Sequence, residues 1–194
     1  MPSTMIHLLT AYEIEPESTG LYWVGNFAPD HAGTRELKDK IHLRGTADRD
    51  AALRGLRRQI DINDPFERGW LVHMFADYCW DINEFSAYRD WYLSAHGDGN
   101  WFSSYREETG IASYYLYHNL PWPRLVWEQI KQTDLKPVNT KLPITLADNE
   151  RYRDNVVRRH EESDPGCESL IYTMDTLTGF ARATAEKYRI WLKS

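Results

Sequence analysis

The stretch DPFERGWLVHMFADYCW, at positions 64–80, constrains the fold of this chain more than any other. Asp64 followed by Pro65 has the pattern of a helix N-cap and a first-turn proline. Apolar and aromatic residues then recur at helical spacing, and His73 and Asp77 fall four residues apart on one face. Side chains at this spacing can converge on a metal ion or form a hydrogen-bonded pair. The stretch therefore predicts a central helix with a polar site on one face.

The remainder of the chain is also patterned for helices. Apolar residues recur at three- and four-residue intervals between breaks, and no segment sustains the alternation typical of a strand. A polar surface loop is expected over 32–40 and an extended connector near 133–145. We therefore predict an all-α fold, a single-domain helical bundle over 1–194, with the metal-site motifs in 1–85. The other predicted helices span roughly 4–13, 20–27, 48–60, 82–93, 102–118, 123–131, 147–162 and 167–192.

Composition and charge exclude several classes of protein. A chain of 194 residues, 42% hydrophobic and 13% aromatic, can bury a packed core and is not typical of a disordered protein. The formal net charge of -6 leaves no basic surplus for general nucleic-acid binding, although a small phosphate ester stays compatible. The two cysteines make no disulfide framework, and no apolar run has the length of a transmembrane segment. Since no leader-like segment opens the chain, we expect a cytoplasmic protein.

Five polar residues in apolar or helix-end positions are candidate metal ligands. Imidazole and carboxylate suit zinc or a similar divalent ion, which needs three or four such ligands. Each candidate also has an ordinary interpretation: a core histidine, an aspartate that caps a turn, or a hydrogen-bonded pair without metal. The five residues are His7, Asp30, His42, His73 and Asp77.

Taken in order, four motifs resemble those of the zinc-dependent phospholipase C family, which is related to the fungal zinc nucleases that cleave single strands. They are MPSTMIHLL, YWVGNFAPDH, KDKIHLR and DPFERGWLVHMFADYCW. They look like the family's early histidine, its aspartate after a helix, its following histidine and its Gly-aromatic-x-x-His-x-x-x-Asp helix. The resemblance covers roughly the first 80 residues. It implies an all-helical bundle of the phospholipase C and zinc nuclease type, with metals in a cleft.

The resemblance also implies a role for each matched residue. Asp30, His42, His73 and Asp77 look like the four ligands of one metal, and His7 joins a bridging Asp77 around a neighbouring ion. Zinc is the implied metal, as one or two ions, with another divalent metal as the alternative. Asp30 is the implied catalytic residue, which steers or deprotonates a water. The implied activity is hydrolysis of a phosphodiester, either a phospholipid headgroup or another small phosphate ester.

Two features depart from the family's pattern. Secreted members use the amino group of a processed N-terminus as a ligand, and no leader precedes His7 here. The His-x-x-x-Glu pattern of the family's third site is not matched, and Asp81 and Glu84, which could substitute, are expected to be solvated. We therefore expect a reduced site with one or two metals. The second hypothesis is a non-catalytic helical binding or interaction protein that keeps the scaffold and at most a structural metal.

The sequence says little about the substrate. Tryptophans can line a cleft over a lipid or a nucleotide, yet an aromatic residue at helical spacing is usually core. A basic segment beside His42 either receives a phosphate or forms an ordinary solvated surface. The tryptophans are Trp23, Trp70, Trp80 and Trp101, and the basic residues are Arg35, Lys38, Lys40 and Arg44.

Overall fold

The structure, a computed structural model, describes residues 2–32, 34–97, 99–136, 138–164 and 166–194. Every regular element within these ranges is helical, so the predicted all-α class is confirmed. A 3-10 turn (Ala28–His31) follows the second helix, and a π-helical turn (Asp81–Phe85) joins the fifth to the sixth. The helices are α1 (Thr4–Ile14), α2 (Gly20–Phe27), α3 (Arg35–Ile41), α4 (Arg49–Arg57), α5 (Pro65–Trp80), α6 (Ser86–His96), α7 (Trp101–Asn119), α8 (Pro123–Gln132), α9 (Leu146–Glu161) and α10 (Met174–Lys193).

Helix α5 lies at the centre of the fold, as its sequence predicts. The Asp64 carboxylate accepts a hydrogen bond from the Glu67 amide at 2.9 Å, and Pro65 occupies the first turn. Most residues of α5 are buried because α1, α2, α4 and α10 pack against it. His73 and Asp77 are therefore removed from bulk water, with 0% of each residue exposed.

Among the described residues, α2 and α5 make the most extensive helix contact, and two glycines allow it. A Cβ atom on Gly69 would lie 2.1 Å from the Tyr22 carbonyl oxygen. A Cβ atom on Gly25 would lie 2.1 Å from the Phe66 carbonyl oxygen. Backbone approaching this closely leaves no room for a side chain. The contact fixes the C-terminal end of α2, and hence Asp30 in the 3-10 turn, against α5.

The buried residues form a hydrophobic cluster that takes in most of the helices. Trp23, Trp70 and Trp80 belong to it and are each at most 1% exposed, so these aromatic side chains are core rather than cleft lining. Within the described ranges, no helix combines the length and the apolar character needed to cross a bilayer. The single-domain organisation stays a prediction.

Residues 35–41 form a helix where the sequence analysis predicts a polar loop, so that prediction is wrong. Thr34 is the N-cap, and its hydroxyl accepts a hydrogen bond from the Leu37 amide at 3.2 Å. Arg35 and Asp39, one turn apart, form an ion pair at 3.7 Å. A short, mostly polar helix lacks the apolar repeat on which the prediction depends.

The last helix begins at Met174, later than the predicted start near 167. The Ser169 hydroxyl accepts hydrogen bonds from the Ile171 and Tyr172 amides and holds the preceding chain in a turn. Thr173 then caps α10. The predicted connector contains no helix in its described part, 133–136 and 138–145, until α9 begins.

Candidate metal centre

Four residues from distant parts of the chain meet at one buried point, which we call the histidine–aspartate cluster. The three imidazoles are 0% exposed and the carboxylate side chain is 7% exposed. The members are His7 on α1, Asp30 in the 3-10 turn, His42 directly after α3 and His73 on α5.

The donor atoms of the histidine–aspartate cluster are spaced as ligands of one ion. One donor atom each from His7, Asp30 and His73 lie within 4.8 Å of one another. His42 Nε2 is 3.1 Å from His73 Nε2 and 3.5 Å from Asp30 Oδ1. Two nitrogens that bind the same zinc ion at ~2.0–2.1 Å lie about 3.3–3.4 Å apart in tetrahedral geometry, a few tenths of an ångström from the observed separations. Four of the five predicted ligands are therefore brought together.

Buried imidazole nitrogens without hydrogen-bond partners distinguish this site from ordinary core packing. Neither ring nitrogen of His7 has a partner within the part of the chain that the structure describes, and neither has His73 Nδ1. The His7 and His73 rings stack with centroids 3.7 Å apart. Natural proteins rarely bury polar atoms without a partner, and a bound ion would supply one. The ordinary interpretation of His7 as a satisfied core histidine is not supported, and a buried group that can hold a metal ion is present.

The orientation of His42 is that of a metal ligand. Its Nδ1 lies 2.7 Å from the Lys38 carbonyl oxygen, one turn earlier on α3. Because a carbonyl only accepts, Nδ1 carries the proton, and Nε2 directs its lone pair towards His73 and Asp30. Such an outer hydrogen bond is typical of histidines that bind metal.

The turn after α3 brings two side chains to the site. Leu43 has a φ of 56°, in the left-handed region that a residue with a Cβ atom avoids. The Arg44 amide donates to the Asp39 carbonyl at 2.8 Å, and the Leu43 amide donates to the Lys40 carbonyl at 3.2 Å. This pattern ends the helix and satisfies two of its free carbonyls. The turn places His42 directly before the strained Leu43 and Arg44 directly after it. Strained backbone of this kind is common at functional sites.

The electrostatics of the cluster favour the forms that bind metal. Burial lowers the pKa of His7 to about 4 and holds the pKa of His73 well below its ordinary value, so both rings are neutral at pH 7. For Asp30, burial opposes ionisation, but the charge of Lys38, whose Nζ lies 2.7 Å away, brings its pKa well below the usual range. Two neutral imidazoles and a carboxylate are thus available.

Asp77 is fully buried one turn beyond His73, yet its oxygens face arginines. Arg49 Nη2 is 2.6 Å from Oδ2, and Arg44 Nη2 is 3.3 Å from both oxygens. Burial opposes ionisation of Asp77, but His42 and Arg44 together hold its pKa below the ordinary value. Its described hydrogen bonds go to the arginines, so the interpretation of His73 and Asp77 as a hydrogen-bonded pair is not supported.

Asp81 shares the arginines with Asp77, and the expectation of a solvated Asp81 is therefore wrong. Its side chain is 17% exposed, and Oδ2 lies 2.9 Å from Arg44 Nη2 and 2.8 Å from Arg49 Nη1. Glu84 is half-buried, and burial raises its pKa. Arg49 cannot be identified from the sequence, because nothing in the local pattern distinguishes it from a solvated arginine near a helix start.

His160 is buried on α9 outside the histidine–aspartate cluster, and its hydrogen bonds are satisfied. Nε2 lies 3.1 Å from the Ser113 hydroxyl and Nδ1 lies 2.8 Å from the Val156 carbonyl oxygen. Burial lowers the pKa of His160 to about 4. A histidine in the unfolded chain titrates near ~6.5. Between these values the unfolded chain binds a proton that the folded protein does not, so stability falls as the pH falls.

We expect the His160→Gln variant to lose less stability on acidification than the wild type. From the difference in pKa, His160 alone lowers the free energy of unfolding by about 2 kcal/mol between pH 7.5 and pH 5. Glutamine has no charge to gain. Urea unfolding of both proteins at the two pH values measures the difference. Equal losses of stability in the wild type and the variant would contradict the lowered pKa of His160.

A cleft of about 960 Å³ opens beside the histidine–aspartate cluster. Asp30, Lys38, Arg44 and Arg49 form part of its wall. Of the residues that the structure describes, seven basic and three acidic ones line it, although the chain as a whole carries a net charge of -6. A basic cleft in an acidic protein favours an anionic ligand. The basic residues are Arg35, Lys38, Arg44, Arg49, Arg89, Arg106 and Arg159.

The basic segment predicted beside His42 divides in two. Lys38 is half-buried against Asp30, and the side chain of Arg44 is 28% exposed. The Arg35 side chain is 92% exposed, and Lys40 is exposed as well. Two of the four residues are therefore part of the site, and the other two lie at the surface.

Comparison with protein-family models, with curated proteins and with solved structures finds no match for this chain. The resemblance to the zinc-dependent phospholipase C family therefore stays a prediction from motifs.

Proposed function

We propose that this protein is a metal-dependent hydrolase of a phosphodiester, either a phospholipid headgroup ester or another small phosphate ester, as the resemblance to the phospholipase C family implies. One observation carries the proposal: a cluster of three histidines and an aspartate lies at the wall of a basic cleft. The cluster supplies donors for a metal, and the cleft supplies positive charge for a phosphate.

The chemistry of the donors suits zinc first. Imidazole nitrogens with a single carboxylate are typical of zinc and of similar divalent ions. Such an ion, when bound, polarises a phosphoryl oxygen and lowers the pKa of a bound water. The hydrogen bond from His42 Nδ1 to the Lys38 carbonyl oxygen, at 2.7 Å, already orients this imidazole as a ligand for such an ion.

In this proposal Asp30 has two roles, as a metal ligand and as the residue that orients the attacking water. It belongs to the histidine–aspartate cluster and also lines the cleft, so its carboxylate can orient a water beside the phosphorus. Lys38 Nζ, 2.7 Å away, keeps the carboxylate ionised and adds a positive charge at the same wall. Burial of the site excludes bulk water, which strengthens these interactions.

A non-catalytic function is the second candidate, and the donor count supports it. Three imidazoles and a carboxylate suffice to close a tetrahedral shell, as in a structural metal site, whereas a catalytic site keeps a position open. A helical binding protein with a structural metal would then use the basic cleft for an anionic partner.

Hydrolysis of bis(p-nitrophenyl) phosphate tests the proposal. We expect turnover by the wild type only after addition of zinc, manganese or another divalent metal. The Asp30→Asn variant should lower kcat/KM at least about 100-fold, because the amide neither binds the ion as a carboxylate does nor accepts a proton.

The matched control is Asp154→Asn. Asp154 lies on α9 with a side chain that is 69% exposed, and it belongs neither to the cluster nor to the cleft lining. Its variant should keep the activity of the wild type. A metal-loaded wild type that cleaves neither this ester nor phosphatidylcholine in vesicles would favour the non-catalytic function.

A further inference from the structure

Two arginines and two aspartates form a compact group, which we call the arginine–aspartate quartet, and three of its members line the cleft. It consists of Arg44, Arg49, Asp77 and Asp81. Arg49 spans both carboxylates, with Nη2 2.6 Å from Asp77 and Nη1 2.8 Å from Asp81. Arg44 reaches the same carboxylates through Nη2 alone, at 3.3 Å and 2.9 Å. Guanidinium groups therefore meet both oxygens of Asp77.

The arginines of the quartet bind the Asp77 oxygens that a second metal ion would require as ligands. A bridging carboxylate turns one oxygen towards each ion. The Asp77 oxygens instead receive charge-assisted hydrogen bonds from Arg44 and Arg49. Asp77 is 0% exposed, so its charge must be compensated nearby, and the arginines already provide that compensation.

The charges around the site also favour a single ion. The buried and half-buried groups that touch the cluster or the quartet carry four negative charges, on Asp30, Asp39, Asp77 and Asp81, with Asp39 Oδ1 3.9 Å from Arg44 Nη1. Lys38, Arg44 and Arg49 carry three positive charges. One divalent ion brings the site from a net charge of -1 to +1, and a second would bring it to +3 beside two guanidinium groups. Like charges in a poorly solvated site repel strongly.

Arg44 has donors left for a ligand in the cleft. A guanidinium carries five N–H groups, and the described hydrogen bonds of Arg44 use Nη2 only. Its Nη1 lies 3.9 Å from Asp39, beyond hydrogen-bond distance, and the side chain lines the cleft. Arg49 has committed both ends of its fork to carboxylates.

From these contacts we infer that the site holds one divalent ion, that Arg44 and Arg49 take the place of a second cation at Asp77, and that Arg44 binds a phosphoryl oxygen of the ligand. The inference rests on the proposed function for its metal and its phosphate. Arg49 is a positioning residue in this arrangement. It fixes the carboxylates of Asp77 and Asp81, and these carboxylates in turn orient Arg44. The net charge of +1 complements a phosphoryl group that gains negative charge as water attacks.

Metal stoichiometry is the first test. Native mass spectrometry of the wild type, saturated with zinc and then freed of excess metal, should show one ion in each chain. Retention of two ions would overturn the inference, and a protein that retains two ions and hydrolyses phosphodiesters would leave the proposed function intact.

Calorimetric titration with inorganic phosphate is the second test, on metal-loaded and on metal-free protein. Arg44→Gln should weaken phosphate binding at least about tenfold while the metal content stays at one ion, because a charged hydrogen-bond donor is lost. Arg58→Gln is the matched control, since Arg58 is exposed at the end of α4 and is not part of the cleft lining, and its phosphate affinity should equal that of the wild type.

Unchanged phosphate affinity in Arg44→Gln would overturn the role of Arg44. Circular dichroism and thermal unfolding establish that the variant is folded, and Arg44→Lys, which keeps a positive charge at Asp77, replaces it if it is not. One bound ion with Arg44-dependent phosphate binding but no hydrolysis would instead contradict the proposed function and leave this inference standing.

Discussion

Replacement of Gly69 by alanine is expected to lower the free energy of unfolding by about 3 kcal/mol, the upper end of the usual cost of overpacking. The added Cβ atom would lie 2.1 Å from the Tyr22 carbonyl oxygen and 2.8 Å from the Asn26 amide nitrogen. Both are backbone atoms of α2 and cannot move aside as a flexible side chain can. The two helices must separate, and the core between them loses contacts on both sides.

Thermal and urea unfolding measure this effect. For a chain of 194 residues, about 3 kcal/mol corresponds to a fall in Tm of roughly 6–12 °C. Gly179→Ala is the matched control, because Gly179 is exposed within α10 and no atom lies within 4 Å of its added Cβ atom. Alanine should be neutral there or stabilise the helix by up to ~1 kcal/mol.

The same substitution should also weaken metal binding, since α2 leads into the turn that carries Asp30, and α5 carries His73. Helices that move apart carry these donor atoms with them. An ordinary surface substitution changes the free energy of unfolding by up to about 0.5 kcal/mol. A change no larger than this in Gly69→Ala would contradict the close approach of α2 and α5.

Replacement of His73 by alanine is expected to weaken zinc binding by at least about 100-fold, since loss of a direct ligand exceeds the ~10–100-fold loss typical of outer-shell residues. His73 is the centre of the histidine–aspartate cluster. Its ring stacks on His7 at 3.7 Å, and its Nε2 lies 3.1 Å from His42 Nε2. Alanine removes one ligand and leaves the other two imidazoles without their neighbour.

Competition with a chromophoric chelator measures the affinity, and thermal unfolding with and without zinc provides an independent readout. Zinc at 100 times its Kd should stabilise the wild type by about 2.7 kcal/mol, and this gain should fall to about 0.4 kcal/mol or less in His73→Ala. His160→Ala is the control, because His160 is equally a buried histidine but bonds to Ser113 and Val156 outside the cluster. Equal zinc affinity in the wild type and in His73→Ala would contradict the proposal that the histidine–aspartate cluster binds zinc.

Local sequence signals predicted most of the helices. Asp64 and Pro65 mark the start of α5, and Asp48 marks the start of α4, because an N-cap acts within its own turn. Helix α3 was missed because one buried residue, Ile41, leaves almost no apolar repeat. Its Thr34 cap and its ion pair are visible in the sequence but are weak signals on their own.

The histidines and aspartates of the site could be proposed from residue type and from order along the chain, but their partners could not. Spacing puts His73 and Asp77 on one face of α5, and the same spacing suits a shared metal or a hydrogen-bonded pair. In the structure His73 meets His42, whereas Asp77 meets Arg44 and Arg49.

By itself, the sequence of this protein determined what depends on neighbours along the chain. The helical class, the cap and buried character of α5 and the residue types able to bind a metal all follow from local patterns. The tertiary structure alone decided which side chains meet. The close packing of Gly25 and Gly69 sets the distance between α2 and α5, and that distance places Asp30 beside His73. Contacts between residues so far apart depend on packing in three dimensions, which no local pattern encodes.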